Sequence, residues 1–426
     1  MDHATLQRVL DAITSFYRGS DDFNGVPVTA LQSRCAITQD HVSGALRQLV
    51  RAGAVTLVFG DAHPNPHIKA FPDEPPDAVL EKLSSPLAQH ACAYPTRKHL
   101  EAIVPRSDYA DMPYTLELAL GEPQLAFRAF DLAVLEYYRN DPRYSYEHDD
   151  IQGSISIHDE YFESQETLDR DKCSLQTFGF CYDTQMNRAV AVFLRYLHDL
   201  SPEHQQRWRV SQLDGDYTLH PDYYRTSILG DWGTRLPILS AFLMEQDLVN
   251  RMCTAMGRPH LFRQTHDDRT RPRSFFLLIR PTLAEFEEFV HTLDKLIADN
   301  IDKSFFQNEV PDTQEQRRGN RVVPVERGTL AMLEDWVKSK FRVADPAPLD
   351  SMVAIFKEVR KMRAPRAHRI QTDEFDQRYF QDQRELIIRA YDGVRTLRLL
   401  LANHPAVRRA NLPVNELLEK GEIWTF

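Results

Sequence analysis

Apolar residues recur at helical spacing in three stretches near the start of the chain. Residues 4–17 set Leu6, Val9, Leu10, Ile13 and Phe16 on one face of a helix. After a Gly/Asp-rich turn, Val28 to Leu31 open a short helix that stops near Ala36. Thr38 then caps a third helix carrying Val42, Ala45, Leu46, Leu49 and Val50, and Gly53 stands where a left-handed residue ends it. β-rich runs at 54–59 and 67–71 flank a Gly/Asp/Pro/Asn turn and predict a hairpin. Three Pro and three acids within 71–77 read as a linker. Beyond it the pattern weakens, with helices expected at 78–84, 121–138 and 186–200 and strands at 153–157 and 275–279.

From Leu283 the helical period strengthens. Phe286, Phe289, Val290, Leu293, Leu296 and Ile297 mark one helix, and a polar, Pro-containing loop is expected over 307–327. Leu330, Leu333, Trp336 and Val337 mark a second helix over about 328–341, and Leu349, Met352, Ile355, Phe356 and Val359 a third over about 348–363. The fourth, about 373–403, buries Phe380, Ile387, Ala390, Tyr391, Val394, Leu397 and Leu401 and leaves Arg395 and Arg398 nearer solvent. Four apolar stripes with short to moderate connections predict a bundle. The expected fold class is mainly α and multidomain: a module at 1–71, a mixed α/β middle at 72–281 and a helical bundle at 282–426.

A chain of 426 residues exceeds one compact core, and 42% hydrophobic with 27% charged residues is the composition of an ordinary globular protein. The net charge of −11 argues against a protein that coats nucleic acid, while leaving room for a local basic site. Cysteines 35, 92, 173, 181 and 253 form no C-x-x-C pair and have no His at zinc spacing, so buried reduced thiols are expected. The N-terminus lacks the basic start and apolar run of a signal peptide, and no stretch approaches the ~18 apolar residues of a membrane span. A cytoplasmic chain with no membrane partner, metal or cofactor is expected. His148-Asp149-Asp150 and His158-Asp159-Glu160 offer ligand types, but neither sets two His on one helical face, and both read as surface loops.

Three helices followed by a hairpin resemble a winged helix-turn-helix over about residues 3–71. The resemblance implies that the helix 38–52 presents Gln39, His41, Ser43 and Arg47 to DNA or a protein partner. Residues 1–71 hold six Asp against six Arg/Lys, a neutral balance that weakens the DNA version.

Residues 357–369, between the third and fourth helices of the bundle, hold six cations and one Glu. Pro365 breaks the helix, bending the chain so that Arg363 and His368, about 140° apart on an unbroken helix, face one cleft. An Arg-x4-His pair at this junction of a four-helix bundle resembles the HEPN superfamily, over about residues 282–404. The resemblance implies metal-independent RNA cleavage by attack of the 2′-OH on the adjacent phosphate. His368 would move a proton near neutrality, and Arg363 would hold the phosphate oxygens. Arg360, Arg366 and Arg369 would be further phosphate contacts, and two modules would pair as a homodimer. Ala364 stands where many active members carry a polar residue. Arg369 and Ile370 replace the His-x-Tyr of the nucleotidylated subgroup. The competing reading pairs Arg363 with Asp373, Glu374 or Asp376 and makes His368 a helix cap. His404 is a candidate third member of the site.

Residues 196–208 and 228–232 resemble a segment of bacterial proteins that end in the same helical module. No chemistry attaches to it, and Trp208, Tyr223, Tyr224 and Trp232 are expected as core or interface anchors. The functional expectation is a HEPN-type endoribonuclease, a toxin or anti-phage effector. The alternative is a non-enzymatic winged-helix regulator that dimerises through its bundle.

Overall fold

The computed structural model describes residues 2–60, 63, 65–318, 321–342, 344–363 and 372–425. It divides into two compact units, Met1–Trp232 and Gly233–Phe426.

The first unit opens with helices His3–Gly19, Val28–Cys35 and Gln39–Arg51, as the apolar spacing predicts. Thr38 caps the third, its hydroxyl accepting from the His41 N–H at 3.4 Å, and Gly53 takes the left-handed φ of 68° that ends it. The strand that pairs with Val55–Val58 is not 67–71, however, but Cys92–Pro95, which also pairs with Val26–Pro27. Residues 71–77 therefore do not leave the domain. Helix Pro76–Lys82 follows them, and its Val79 belongs to the same core as Val9, Leu46 and Ala93.

The expected boundary at 71/72 disappears for a second reason. The buried Gln124 side chain accepts from the Lys69 N–H at 2.6 Å and donates to the Asp22 and Phe23 carbonyls at 3.1 Å. The buried Lys69 ammonium donates to the Gly121 carbonyl at 2.9 Å and pairs with Asp73 at 2.8 Å. These bonds, satisfied on both sides, weld the N-terminal module to the middle region.

That region is built on a seven-stranded antiparallel sheet. Its path runs Tyr144–His148, Gln152–Ile157, Ser174–Tyr182, Arg188–Phe193, Phe127–Phe130, Gln212–Leu213, with Thr218–Leu219 added to Ser174–Tyr182. The helices expected over 121–138 and 186–200 are thus each begun by a strand, Phe127–Phe130 and Arg188–Phe193, with only short helical pieces after it, at Leu132–Leu135 and Glu136–Arg139 and at Leu194–His198. Phe-Arg-Ala-Phe and Ala-Val-Ala-Val-Phe pair with each other, and burial on a sheet overrides a pattern ambiguous in period. No strand forms at 275–279, where the backbone is bends and irregular structure. The 149–151 turn is not a surface loop either, for Asp150 and Ile151 are buried.

The segment 196–208 serves the core. Trp208 and Tyr223 are fully buried, the Trp208 indole N–H donates to the Tyr138 hydroxyl at 3.0 Å, and His204 Nδ1 lies 2.8 Å from the same oxygen. Trp232, by contrast, is almost fully exposed. All five cysteines are buried thiols.

In the second unit, helices Ile238–Ala255, Leu283–Leu296, Ala347–Arg363 and Arg378–Ala402 enclose one apolar core, with Thr329–Lys340 packed on Ala347–Arg363. The expected boundary at 281/282 thus lies inside the bundle, because the apolar Ile238–Ala255 helix packs on Arg378–Ala402. A Cβ on Gly393 would stand 2.9 Å from the Phe356 ring, so only glycine lets these two helices meet as they do. The loop expected at 307–327 is an antiparallel hairpin, Thr313–Arg318 with Arg321–Glu326.

Arg398 was expected near solvent and is instead 2% exposed, in a bidentate pair with the fully buried Glu245 across two helices (2.6 and 3.3 Å). Burial pushes the Glu245 carboxyl above its usual range in spite of the Arg398 guanidinium. Removing one partner strands a charge, so Arg398→Met is expected to cost about 3–5 kcal/mol by denaturant unfolding. Adding Glu245→Met should recover most of it. A double variant as unstable as the single one would contradict this.

Burial also drives the His204 and His220 side chains down to about 4. For His204, Arg207 adds to the lowering while Asp171 and Glu203 oppose it. Both folded values lie below the ordinary 6.5, so the unfolded chain takes up the protons first. Stability of the first unit should be full above pH 6.5 and fall as pH drops toward 4, with the slope reduced in His204→Gln. Equal slopes for both proteins in urea melts would exclude His204 as a source.

Candidate active site at the edge of the helical bundle

Arg363 is the last residue of the 347–363 helix, and Arg360 lies one turn before it on the same face. Both reach the neighbouring 283–296 helix. Arg360 Nε stands 3.2 Å from Asp294 Oδ1, and Arg363 Nη1 donates to Asp294 Oδ2 at 2.7 Å. The Asp294 side chain is wholly buried. Asp299, just past that helix, accepts from Arg360 Nη2 at 2.5 Å and also from Arg363. Asn300 sets this turn, donating to the carbonyls of Leu296 at 3.2 Å and Gln264 at 2.8 Å.

The result is a four-charge cluster of two guanidiniums and two carboxylates. Burial pushes the Asp299 carboxyl up, but the bonds from Arg360 and Arg363 together outweigh it and hold the group below the usual carboxylate range. The Asp294 hydrogen bond, against partial burial and with help from Asp299, raises the Arg363 guanidinium further. His291, one turn before Asp294, is half-buried, and burial, then Lys295 and Arg363, lower its affinity for a proton.

The local excess of cations is therefore smaller than the sequence suggests, since acids distant in sequence return to it. Lys357 pairs with Glu334 at 2.6 Å, and Glu358 is taken by Arg389 at 2.7 Å. Arg363 does not use Asp373, Glu374 or Asp376 among the described contacts. Asp373 accepts from the Ala284 N–H at 2.9 Å, and Asp376 pairs with Arg378 at 2.5 Å. The signal for Asp294 was present, since an acid four residues after Val290 falls inside an apolar stripe. Asp299 had no such mark.

His368, Arg366 and Arg369, with Ala364 and Pro365, lie outside the described residues. His404 caps helix Pro405–Ala410, its Nδ1 accepting from the Ala406 N–H at 3.3 Å. In the N-terminal module Gln39 and His41 are exposed, while Ser43 and Arg47 are half-buried, and Arg47 donates to the Ser84 hydroxyl at 2.9 Å. The structure thus brings Arg360 and Arg363 together and ties Arg47 to Ser84.

One group of ligand type, Asp22, His198 and Asp199, gathers among the described residues. Both His198 nitrogens are engaged, Nε2 with the Asp21 carbonyl at 2.9 Å and Nδ1 with the Thr115 hydroxyl at 3.3 Å. The carbonyl fixes the proton on Nε2, and the hydroxyl occupies the remaining lone pair, so a metal would have to displace a bond. A cleft of about 540 Å³ also opens beside Ser240, Asp247 and Asp268. Its wall is tied internally, with the Ser240 hydroxyl and the Arg271 guanidinium both donating to Asp268 Oδ1, at 2.6 and 2.5 Å.

No described helix is long and apolar enough to cross a membrane. No protein-family model, curated protein or solved structure matches the chain.

Because Asp294 is buried between two cations and Asp299 is partly open to water, their worth should differ. Asp294→Asn is expected to cost about 2 kcal/mol of unfolding free energy, and Asp299→Asn less than about 1. Equal losses in denaturant melts would contradict the assignment of Asp294 as the anchor.

Proposed function

We propose that the chain is a HEPN-type, metal-independent endoribonuclease, with Arg363 and His368 as its catalytic pair. The observation that carries this reading is the state of Arg363. It ends a bundle helix two residues before Pro365 in sequence, 30% exposed, with Nη1 fixed by Asp294 of the adjacent helix and by Asp299 just past it. A guanidinium held in this way meets a phosphate without first losing rotamer freedom. Asp294 and Asp299 are then positioning residues. Their two charges offset those of Arg360 and Arg363, so what Arg363 offers is oriented hydrogen bonds more than net charge. Lys361, Arg366 and Arg369 supply the remaining attraction for the backbone.

In the reaction, the RNA 2′-OH attacks the neighbouring phosphorus, and the bond to the 5′-oxygen breaks. His368 moves the proton and Arg363 meets the charge that develops on the non-bridging oxygens. The products are a 2′,3′-cyclic phosphate and a 5′-OH end. A homodimer would join two such sites, the role would be that of a toxin or anti-phage effector, and the first unit would serve as sensor or partner-binding module. The pairing of Arg47 with Ser84 supports a protein partner there over DNA.

A non-enzymatic scaffold is the second reading, favoured by the full pairing of the Arg360/Arg363 cluster, which is also how a purely structural ion cluster looks. The two separate in one assay. The nuclease reading expects cleavage of single-stranded RNA in EDTA, and a fall in kcat of about 10²–10⁴ for His368→Ala with an unchanged unfolding midpoint. A scaffold leaves RNA intact in both preparations.

A further inference from the structure

Cleavage by the 2′-OH needs two proton transfers, one from the attacking hydroxyl and one to the departing 5′-oxygen. These oxygens stand on opposite sides of the phosphorus, roughly in line, so a single imidazole does not serve both at once. His368 accounts for one transfer. The described residues beside Arg363 include a second imidazole.

Arg363 and Asp373 both attach to helix Leu283–Leu296. Arg363 donates to Asp294 near its end at 2.7 Å, and Asp373 accepts from the Ala284 N–H at its start, where the Leu283 N–H also donates to the Glu374 carbonyl at 2.8 Å. The two attachments are about 15 Å apart along the helix axis. Ala284, Glu287, His291 and Asp294 succeed one another at spacings of three and four residues, so they share one face of the helix. His291 therefore stands one turn from the carboxylate that Arg363 grips, with Cβ atoms about 5–6 Å apart. It is half-buried, and it is the only imidazole carried by helix 283–296 or helix 347–363.

The charged groups around it set its protonation. Burial comes first, then Lys295 on its own helix and Arg363 on the neighbouring one; together they lower its proton affinity below the ordinary 6.5. Asp294 and Asp299 oppose them and are outweighed. The ring is thus neutral at neutral pH and has a lone pair with which to take a proton.

We infer that His291 is the general base of the proposed cleavage, a catalytic residue that takes the proton of the RNA 2′-OH while Arg363 holds the phosphate. The 2′-oxygen bonds to phosphorus as its proton passes to a ring nitrogen of His291. The bond to the 5′-oxygen breaks, and that oxygen receives its proton from His368. This rests on the nuclease reading and divides its two proton transfers between two side chains.

The test follows initial rates of the full-length protein on single-stranded RNA in EDTA, between about pH 5 and 8. His291→Ala is expected to lower kcat by about 10²–10⁴, with an unchanged unfolding midpoint and partial recovery in added imidazole. A base acts only when unprotonated, so the parent rate should fall as pH drops through the His291 value, below 6.5. That acid limb should be missing in His291→Ala. RNA with sulfur in place of the 5′-bridging oxygen needs no acid for its leaving group, so it should rescue His368→Ala and leave the His291→Ala defect in place. A His291→Ala protein as active as the parent would overturn the inference. So would a defect that neither imidazole nor pH alters, which marks a structural role, or rescue by the sulfur substrate, which would make His291 the acid. If the parent cleaves no RNA, the nuclease reading fails and the role of His291 goes with it. If the parent cleaves and His291→Ala cleaves equally well, only the assignment of His291 fails.

Discussion

A carboxylate carried wholly into a helical bundle must be met by cations, and Asp294 is such a group. Its desolvation cost is of the order of several kcal/mol, and an apolar neighbour cannot offset it. Arg360 and Arg363 do, from the last turn of the adjacent helix. That requirement fixes where the 347–363 helix ends relative to the 283–296 helix, and it fixes the direction in which the Arg363 side chain leaves the bundle. Asp299, held in place by the Asn300 turn, closes the cluster from outside. The proposed chemistry depends on this arrangement, because a phosphate-binding guanidinium is useful only if its orientation is set in advance.

Much of the bundle could be read from sequence because helices bury stripes, and a stripe repeats within a few residues. The expected helices at 328–341 and 348–363 agree closely with Thr329–Lys340 and Ala347–Arg363. Long-range pairing left weaker traces. The partner of Val55–Val58 is Cys92–Pro95, across an intervening helix, and nothing local to 67–71 reveals that this run stays unpaired. The runs at 127–130 and 188–193 suit either period, and only their pairing with each other decides for strands. Arg398 shows the same limit for charge. On its own helix it resembles a solvent residue, and its partner Glu245 lies far away in the chain.

The candidate site was legible to a similar degree. Arg363 stood out through its spacing to His368, the proline between them and the crowd of cations. Of its actual counterions only Asp294 left a mark, as an acid within an apolar stripe, while Asp299, just past the same helix, left none, and Asp373 and Asp376 nearer in sequence are occupied elsewhere. What looked like a +5 patch is largely compensated at Lys357, Arg360 and Arg363.

The most direct measurement is the chemistry of the ends left on a defined single-stranded RNA incubated with the protein in EDTA, read by mass spectrometry. The account predicts fragments bearing a 2′,3′-cyclic phosphate and a 5′-OH, absent when Arg363 or His368 is replaced. Fragments with 5′-phosphate and 3′-OH ends, or intact RNA under every condition that keeps the protein folded, would contradict it.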